Sequence, residues 1–234
     1  MNSQLTLIGF DADDTLWINE CYYQEIGRRF YQLLTDYISP DEAQKKLFET
    51  EMENMDLYGY GAKAYILSII ETALKISNNQ ISGEVIAKII DLCKELLNKP
   101  VVLLDGITQI LEQLSRSKYQ VIMVTKGDIL DQERKLKKSK IEKYFHHIEI
   151  VSEKRESDYE KLLKRLSVKP QHFMMIGNSL KSDVLPVINI GGYGVHIPYH
   201  TTWEHEKIEI EEKLDRFWKI DHISALSTIL ELNE

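Results

Sequence analysis

The sequence predicts an α/β fold, a doubly wound parallel sheet with a helical domain inserted after its first strand. Three observations predict it. A short apolar run near the N-terminus ends abruptly in acidic residues. Residues 17–100 then carry helical periodicity without a strand pattern. From Pro100 onward, short apolar strands alternate with helices.

Taken in order, Leu5 to Phe10 (LTLIGF) reads as a buried strand ending at Asp11. The stretch from Met1 to Phe10 has no basic leader and does not read as a signal peptide. Glu25-Ile26, Phe30, Leu33-Leu34 and Tyr37 recur at helical spacing. Ser39-Pro40-Asp41-Glu42 opens a second helix, with proline and acids in its first turn, and Gly59-Tyr60-Gly61 breaks the segment that follows. Ala62 to Ile76 is a third helix, and Ser82-Gly83-Glu84 opens a fourth that runs to about Leu97. These helices form a bundle interrupting an α/β domain. The expected division is therefore 1–16 with 101–234 for the α/β core, and 17–100 for the insertion.

Beyond Pro100, Ile107 to Leu114 is helical and Gln120 to Val124 (QVIMV) is a buried strand ending at Thr125. Leu130 to Lys138 is a basic helix, His147 to Val151 a strand and Asp158 to Leu166 a helix. His172 to Ile176 (HFMMI) is a strand ending at Gly177, and Val184 to Ile190 a helix. Tyr193 to Ile197 and Phe217 to Ile220 are further strands, and His222 to Leu230 the last helix. Strands this short and this continuously apolar belong in a parallel sheet covered on both faces.

The bulk composition agrees. At 234 residues, with 43% hydrophobic and 28% charged, the chain suits one medium domain plus an insertion. A net charge of −8 gives no general pull toward nucleic acid or an anionic membrane. Cys21 and Cys93 show neither metal-ligand spacing nor a disulfide framework, which points to a reduced compartment. No apolar run approaches the roughly 18 residues that span a bilayer, so the expected location is the cytoplasm.

In such a sheet, ligands bind at the carboxyl ends of the strands. The informative polar residues fall there: Asp11, Asp13 and Asp14 after the first strand, and Thr125-Lys126-Gly127 after the next. Lys154 follows the third, and Gly177-Asn178-Ser179 with Asp183 follow the fourth. Together they supply carboxylates for a metal, a hydroxyl and a lysine for an anion, and a candidate nucleophile.

Those segments resemble, in order, the four motifs of the haloacid dehalogenase superfamily. Asp11-Ala12-Asp13-Asp14-Thr15-Leu16 fits D-x-D-x-T-[LV]. Thr125 after an apolar strand fits the second motif, and Lys154 in Ser152-Glu153-Lys154 fits the third. Gly177-Asn178-Ser179-Leu180-Lys181-Ser182-Asp183 resembles the fourth, usually G-D-x-x-x-D or G-D-x-x-x-x-D. The insertion sits where members with a type 1 cap carry theirs. The resemblance implies a Rossmann-like core, a bound Mg2+, and hydrolysis of a small phosphorylated metabolite.

On that reading Asp11 attacks phosphorus and forms an aspartyl phosphate. Asp13 protonates the leaving oxygen, then activates water, and its backbone carbonyl binds the metal. Thr125 bonds a phosphoryl oxygen, and Lys126 and Gly127 offer backbone N–H groups. Lys154 offsets charge on nucleophile and phosphoryl group. Metal ligands are drawn from Asp11, Asp13, Asn178 and Asp183. Asn178 stands where many relatives carry Asp, so Asp183 supplies the missing carboxylate, directly or through water.

Blander readings stand beside these. Asp11, Thr125 and Asp183 also suit helix-capping positions, and Thr15 suits a turn. His196, His200 and His205 cluster after the last core strand without a zinc signature, and the basic run Arg134 to Lys140 reads as a solvated helix face. Three rival functions share the pattern: a 2-haloacid dehalogenase, a phosphomutase, and a non-catalytic module binding a phospho-ligand or a protein. Asp13 counts against the dehalogenase, whose halide leaving group needs no proton. Asn178 alone encourages the non-catalytic reading.

Overall fold

The computed structural model describes residues 5–208 and 214–232. Of the expected Met1–Phe10 run, residues 1–4 lie outside them. Strand β1 spans Leu7–Phe10, β2 Gln120–Lys126, β3 His147–Val151, β4 Phe173–Gly177, β5 Tyr193–His196 and β6 Phe217–Lys219. All pair in parallel, in the order β3-β2-β1-β4-β5-β6. The chain works outward from β1 to β3, then returns to the other side of β1 and works outward to β6. The switch point therefore lies between β1 and β4, where such sheets bind their ligands.

The strands are apolar throughout because both faces are covered. Ile8 and Phe10, Val121 and Met123, and Met174 and Ile176 project into one core with Ile107, Leu111 and Leu114 of helix α5 (Ile107–Ser115) and Leu226 near the C-terminus. Their neighbours Leu7, Ile122, Val124, Phe173 and Met175 project into a second core with Tyr159, Leu162, Leu163 and Val187. Alternate residues of one strand thus feed opposite layers, as the two-residue period of a strand requires. Gly9 has to be small: a Cβ there would lie 2.8 Å from the Phe173 ring.

Helices α1 (Glu20–Leu33), α2 (Pro40–Tyr58), α3 (Ala62–Ile76) and α4 (Gly83–Asn98) make a separate core of Ile26, Phe30, Leu47, Ile69, Ile89 and Leu96 with their neighbours. Ser39 caps α2: its hydroxyl accepts from the Glu42 N–H, and the Glu42 carboxylate accepts from the Ser39 N–H, both at 3.3 Å. Ser82 caps α4 through the Val85 N–H. The chain divides into two compact units. Cys21–Pro100 with Gly127–Glu133 form the helical one; Met1–Glu20, Val101–Lys126 and Arg134–Glu234 form the other.

The remaining helices are α6 (Ile129–Ser139), α7 (Glu156–Arg165), α8 (Leu185–Asn189) and α9 (Ala225–Ile229). Two depart from expectation. The helix expected over 184–190 begins as a wide turn at Leu180–Val184 and becomes α-helical only at Leu185. The last helix is shorter than 222–230. Strand β2 also runs past Thr125 to Lys126, because edge strand β3 offers Val151 as its partner there. Among the described residues, no helix is long and apolar enough to cross a membrane.

Candidate active site

The register sets the site. Phe10 lies beside Met123 on one side and Ile176 on the other. Asp11 therefore emerges at the switch point, and its N–H donates to the Ile176 carbonyl at 2.9 Å. The chain then turns sharply. Leu16 N–H bonds to the Ala12 carbonyl at 2.8 Å, and Asp14 adopts a left-handed conformation with φ 58°. Asp tolerates that conformation better than most residues. The Asp14 carboxylate accepts from the N–H groups of Asn19 and Glu20, capping α1. Burial raises this carboxyl to about 7 in spite of those bonds.

Lys154 sits at the centre. Three residues beyond β3, its side chain crosses the end of β2, is 2% exposed, and donates to Asp11 Oδ1 at 2.5 Å and to Asp183 Oδ1 at 2.7 Å. Burial opposes the ammonium, but the two carboxylates outweigh it and hold its pKa above the usual lysine value. Burial likewise pushes the Asp11 carboxyl upward; Lys154 pulls it down, and Asp183 and Asp13 push with the burial. Two carboxylates and one ammonium leave a buried excess of one negative charge.

Thr15 joins the first and fourth motif segments. Its hydroxyl lies 3.1 Å from Asp11 Oδ2 and 3.3 Å from Asn178 Oδ1, to either of which it can donate, and it accepts from the Asn178 N–H at 3.0 Å. That contact goes beyond the turn role read from the sequence. Asp183 is 1% exposed and also accepts from the Ser179 N–H at 3.0 Å, closing the loop on itself. Gly177 makes room for it: a Cβ there would fall 2.2 Å from Asp183 Oδ2.

Asp13 points elsewhere. Its Oδ1 accepts from Trp17 Nε1 at 2.7 Å and Lys135 Nζ at 2.8 Å, and Lys135 also donates to Asn19 Oδ1 at 2.8 Å. Lys135 thereby departs from the solvated basic face expected of 134–140. The Thr125 side chain is buried, with its hydroxyl 3.3 Å from the Lys126 carbonyl. Lys126 Nζ donates to Ser182 Oγ and to Glu206. Gly127 adopts φ 130° and belongs with the helical unit. Of the three histidines, His196 lies 3.0 Å from the Asn178 carbonyl, His205 meets Lys181, and His200 packs on Tyr199.

The fold thus brings Asp11, Asn178, Asp183 and Lys154 into one bonded cluster, with Thr15 as its link. Trp17, Lys135 and Glu206 were not singled out from the sequence. A faint signal existed for Trp17, four residues after Asp13 in a tight turn. None existed for Lys135 or Glu206, which are ordinary charges until the chain folds.

The family model of the haloacid dehalogenase-like hydrolases matches residues 5–191. A glyceraldehyde 3-phosphate phosphatase from Pyrococcus furiosus is 25% identical over 131 residues; the match covers 54% of this chain and 53% of that protein, so the chain spans about half the length of this curated relative. The crystal structure of a haloacid dehalogenase-like family hydrolase from Xanthomonas campestris is 34% identical with a TM-score of 0.87, covering 97% of this chain and 91% of the other. An L-2-haloacid dehalogenase from Xanthobacter autotrophicus shares the fold, with a TM-score of 0.67 at 13% identity over 97% of this chain and 98% of its own.

Proposed function

The chain belongs to the haloacid dehalogenase-like hydrolases, and we propose that it hydrolyses a small phosphomonoester through an aspartyl phosphate on Asp11. One observation carries the reading. Residues from three separate strand ends, those of β1, β3 and β4, gather on a single carboxylate: Lys154 bonds it, Thr15 ties it to Asn178, and Asp183 holds the far side of Lys154. A carboxylate used only for capping needs none of this.

In this reading the Asp11 carboxylate attacks phosphorus, and the ester oxygen leaves with a proton from Asp13. Asp13 then takes a proton from the water that attacks the aspartyl phosphate, freeing inorganic phosphate and Asp11. Trp17 and Lys135 orient the Asp13 carboxylate. Lys154 stays protonated and offsets the negative charge gathering between Asp11 and the phosphoryl oxygens. Thr125 and the N–H groups that follow it bind those oxygens. Residues 1–16 and 101–234 serve as the catalytic core, and 17–100 as the inserted cap.

The donor set fits magnesium. Asp11, the Asp13 carbonyl and the Asn178 amide oxygen are hard oxygen donors, and the buried excess of negative charge favours a cation. Among the described residues, no three His, Cys, Asp or Glu side chains gather as a ready cation site, so backbone and amide oxygens would complete it. Asp183, committed to Lys154 and the Ser179 N–H, would act on the ion through its neighbours or through water. When bound, magnesium would offset charge on the phosphoryl oxygens.

The relative named for glyceraldehyde 3-phosphate supports a small phosphorylated substrate. The test is phosphate release from p-nitrophenyl phosphate and a panel of small phosphomonoesters, with and without magnesium, by the wild type and Asp11→Asn. Metal-dependent turnover that the substitution abolishes is expected. Turnover surviving in Asp11→Asn, or none across the panel, would overturn the proposal.

A further inference from the structure

A carboxylate from outside all four motif segments reaches the strand ends. Glu206 lies in a short helical turn, Glu204–Glu206, beyond β5, and its side chain is 12% exposed. Its Oε1 accepts from Lys126 Nζ at 2.5 Å. Its Oε2 accepts from Ser179 Oγ at 2.5 Å and Ser182 Oγ at 2.6 Å. The donors hold one another too: Lys126 Nζ donates to Ser182 Oγ at 2.9 Å, and the Ser182 N–H to Ser179 Oγ at 3.0 Å. The buried Tyr159 hydroxyl donates to the Ser182 carbonyl at 3.0 Å. Charge-assisted bonds of this kind are short and strong. Burial alone would raise the Glu206 carboxyl; Lys126 and the two serines reverse that and bring it down to about 2.

The two segments so joined carry the proposed chemistry. Lys126 follows Thr125 at the end of β2. Ser179 and Ser182 lie inside the loop between Asn178 and Asp183. We propose that Glu206 is a positioning residue for the reaction: its carboxylate clamps the Thr125–Lys126 strand end to the Asn178–Asp183 loop, so that Thr125 and the Asp183–Lys154 pair keep their places around Asp11. The inference rests on the phosphatase reading. The lysine and two hydroxyls form a seat shaped for one carboxylate, and the Lys126 ammonium is spent there rather than on substrate. A small free carboxylate can therefore take the seat when the side chain is cut away.

The experiment compares wild type, Glu206→Gln and Glu206→Ala with Glu204→Gln, whose exposed carboxylate pairs with Lys207. Steady-state kcat and KM for p-nitrophenyl phosphate are measured with magnesium, with and without sodium formate at constant ionic strength, and melting temperature is followed in the same buffers. Glu206→Ala is expected to lose about 10–100-fold in kcat, as for other groups that hold reacting residues in place, with a much smaller change in KM. Formate should restore part of kcat and raise the melting temperature of that variant alone. Glu206→Gln should fall between, and Glu204→Gln should match wild type. An active wild type matched by Glu206→Ala overturns the positioning role, as does a loss that formate leaves unchanged. A wild type inert on every phosphomonoester overturns the phosphatase reading and this role together.

Discussion

Replacing Lys154 with methionine removes an ammonium that two buried carboxylates share, while keeping an unbranched chain of similar length. The contacts are 2.5 Å to Asp11 and 2.7 Å to Asp183. At an effective dielectric of about 20, each attraction is worth roughly 6 kcal/mol. Burying the ammonium takes several kcal/mol back, and the measured cost of orphaning buried partners is about 3–5 kcal/mol. Lys154→Met should therefore destabilise the protein by about that amount at neutral pH. The sign with pH follows. Without Lys154, the buried Asp11 carboxyl loses the ammonium that pulls it down, so the variant is penalised wherever the unfolded carboxylate ionises and the folded one resists. The deficit should be small below about pH 4, where both states are protonated, and should widen as pH rises toward the raised folded value. Adding Asp183→Asn to the variant should recover part of the loss, since it removes one of the two unpaired charges. Urea unfolding followed by circular dichroism, at pH 4 and pH 7 in the presence of a chelator, measures all of this. A cost under about 1 kcal/mol, or one that does not change with pH, would refute the reasoning.

Other outcomes follow from the same geometry. Asp11→Asn should abolish turnover yet raise the melting temperature in chelator, because burial makes the native carboxylate costly; scanning calorimetry beside the phosphate assay reads both. Gly177→Ala should lower activity more than ten-fold and destabilise by about 1–3 kcal/mol, since the new Cβ displaces Asp183 from Lys154; a variant with wild-type kinetics and stability would show that the loop yields freely. Glu206 falls from its ordinary 4.5 to about 2, which corresponds to roughly 3 kcal/mol of stability. That stability is present above about pH 4.5 and is lost as pH falls toward 2. The acid limb of a stability–pH curve should therefore flatten in Glu206→Gln, and an unchanged limb would count against the clamp.

Much of this protein is legible in its residues alone. Runs such as QVIMV and HFMMI are buried on both faces, and only a parallel sheet between two helical layers accommodates them. Proline and acids at Ser39–Glu42, and serine at position 82, mark helix starts through local hydrogen bonds that any chain with those residues forms. The strand-end acids, Thr125 and Lys154 likewise stand out, because strand ends are where sheets of this kind bind ligands. What the sequence withheld depends on distance along the chain. Lys154 meets Asp11 across 143 residues, Lys135 meets Asp13 across 122, and Glu206 meets Lys126 across 80. A lone lysine or glutamate has no local signature, since its partner is chosen by the order and register of strands far apart in the chain. Local periodicity determined the strands, the helices and the candidate nucleophile. The ownership of each charge, and so the electrostatics of the site, was decided only when folding brought those side chains to the carboxyl ends of the strands and buried Asp11, Lys154 and Asp183 there.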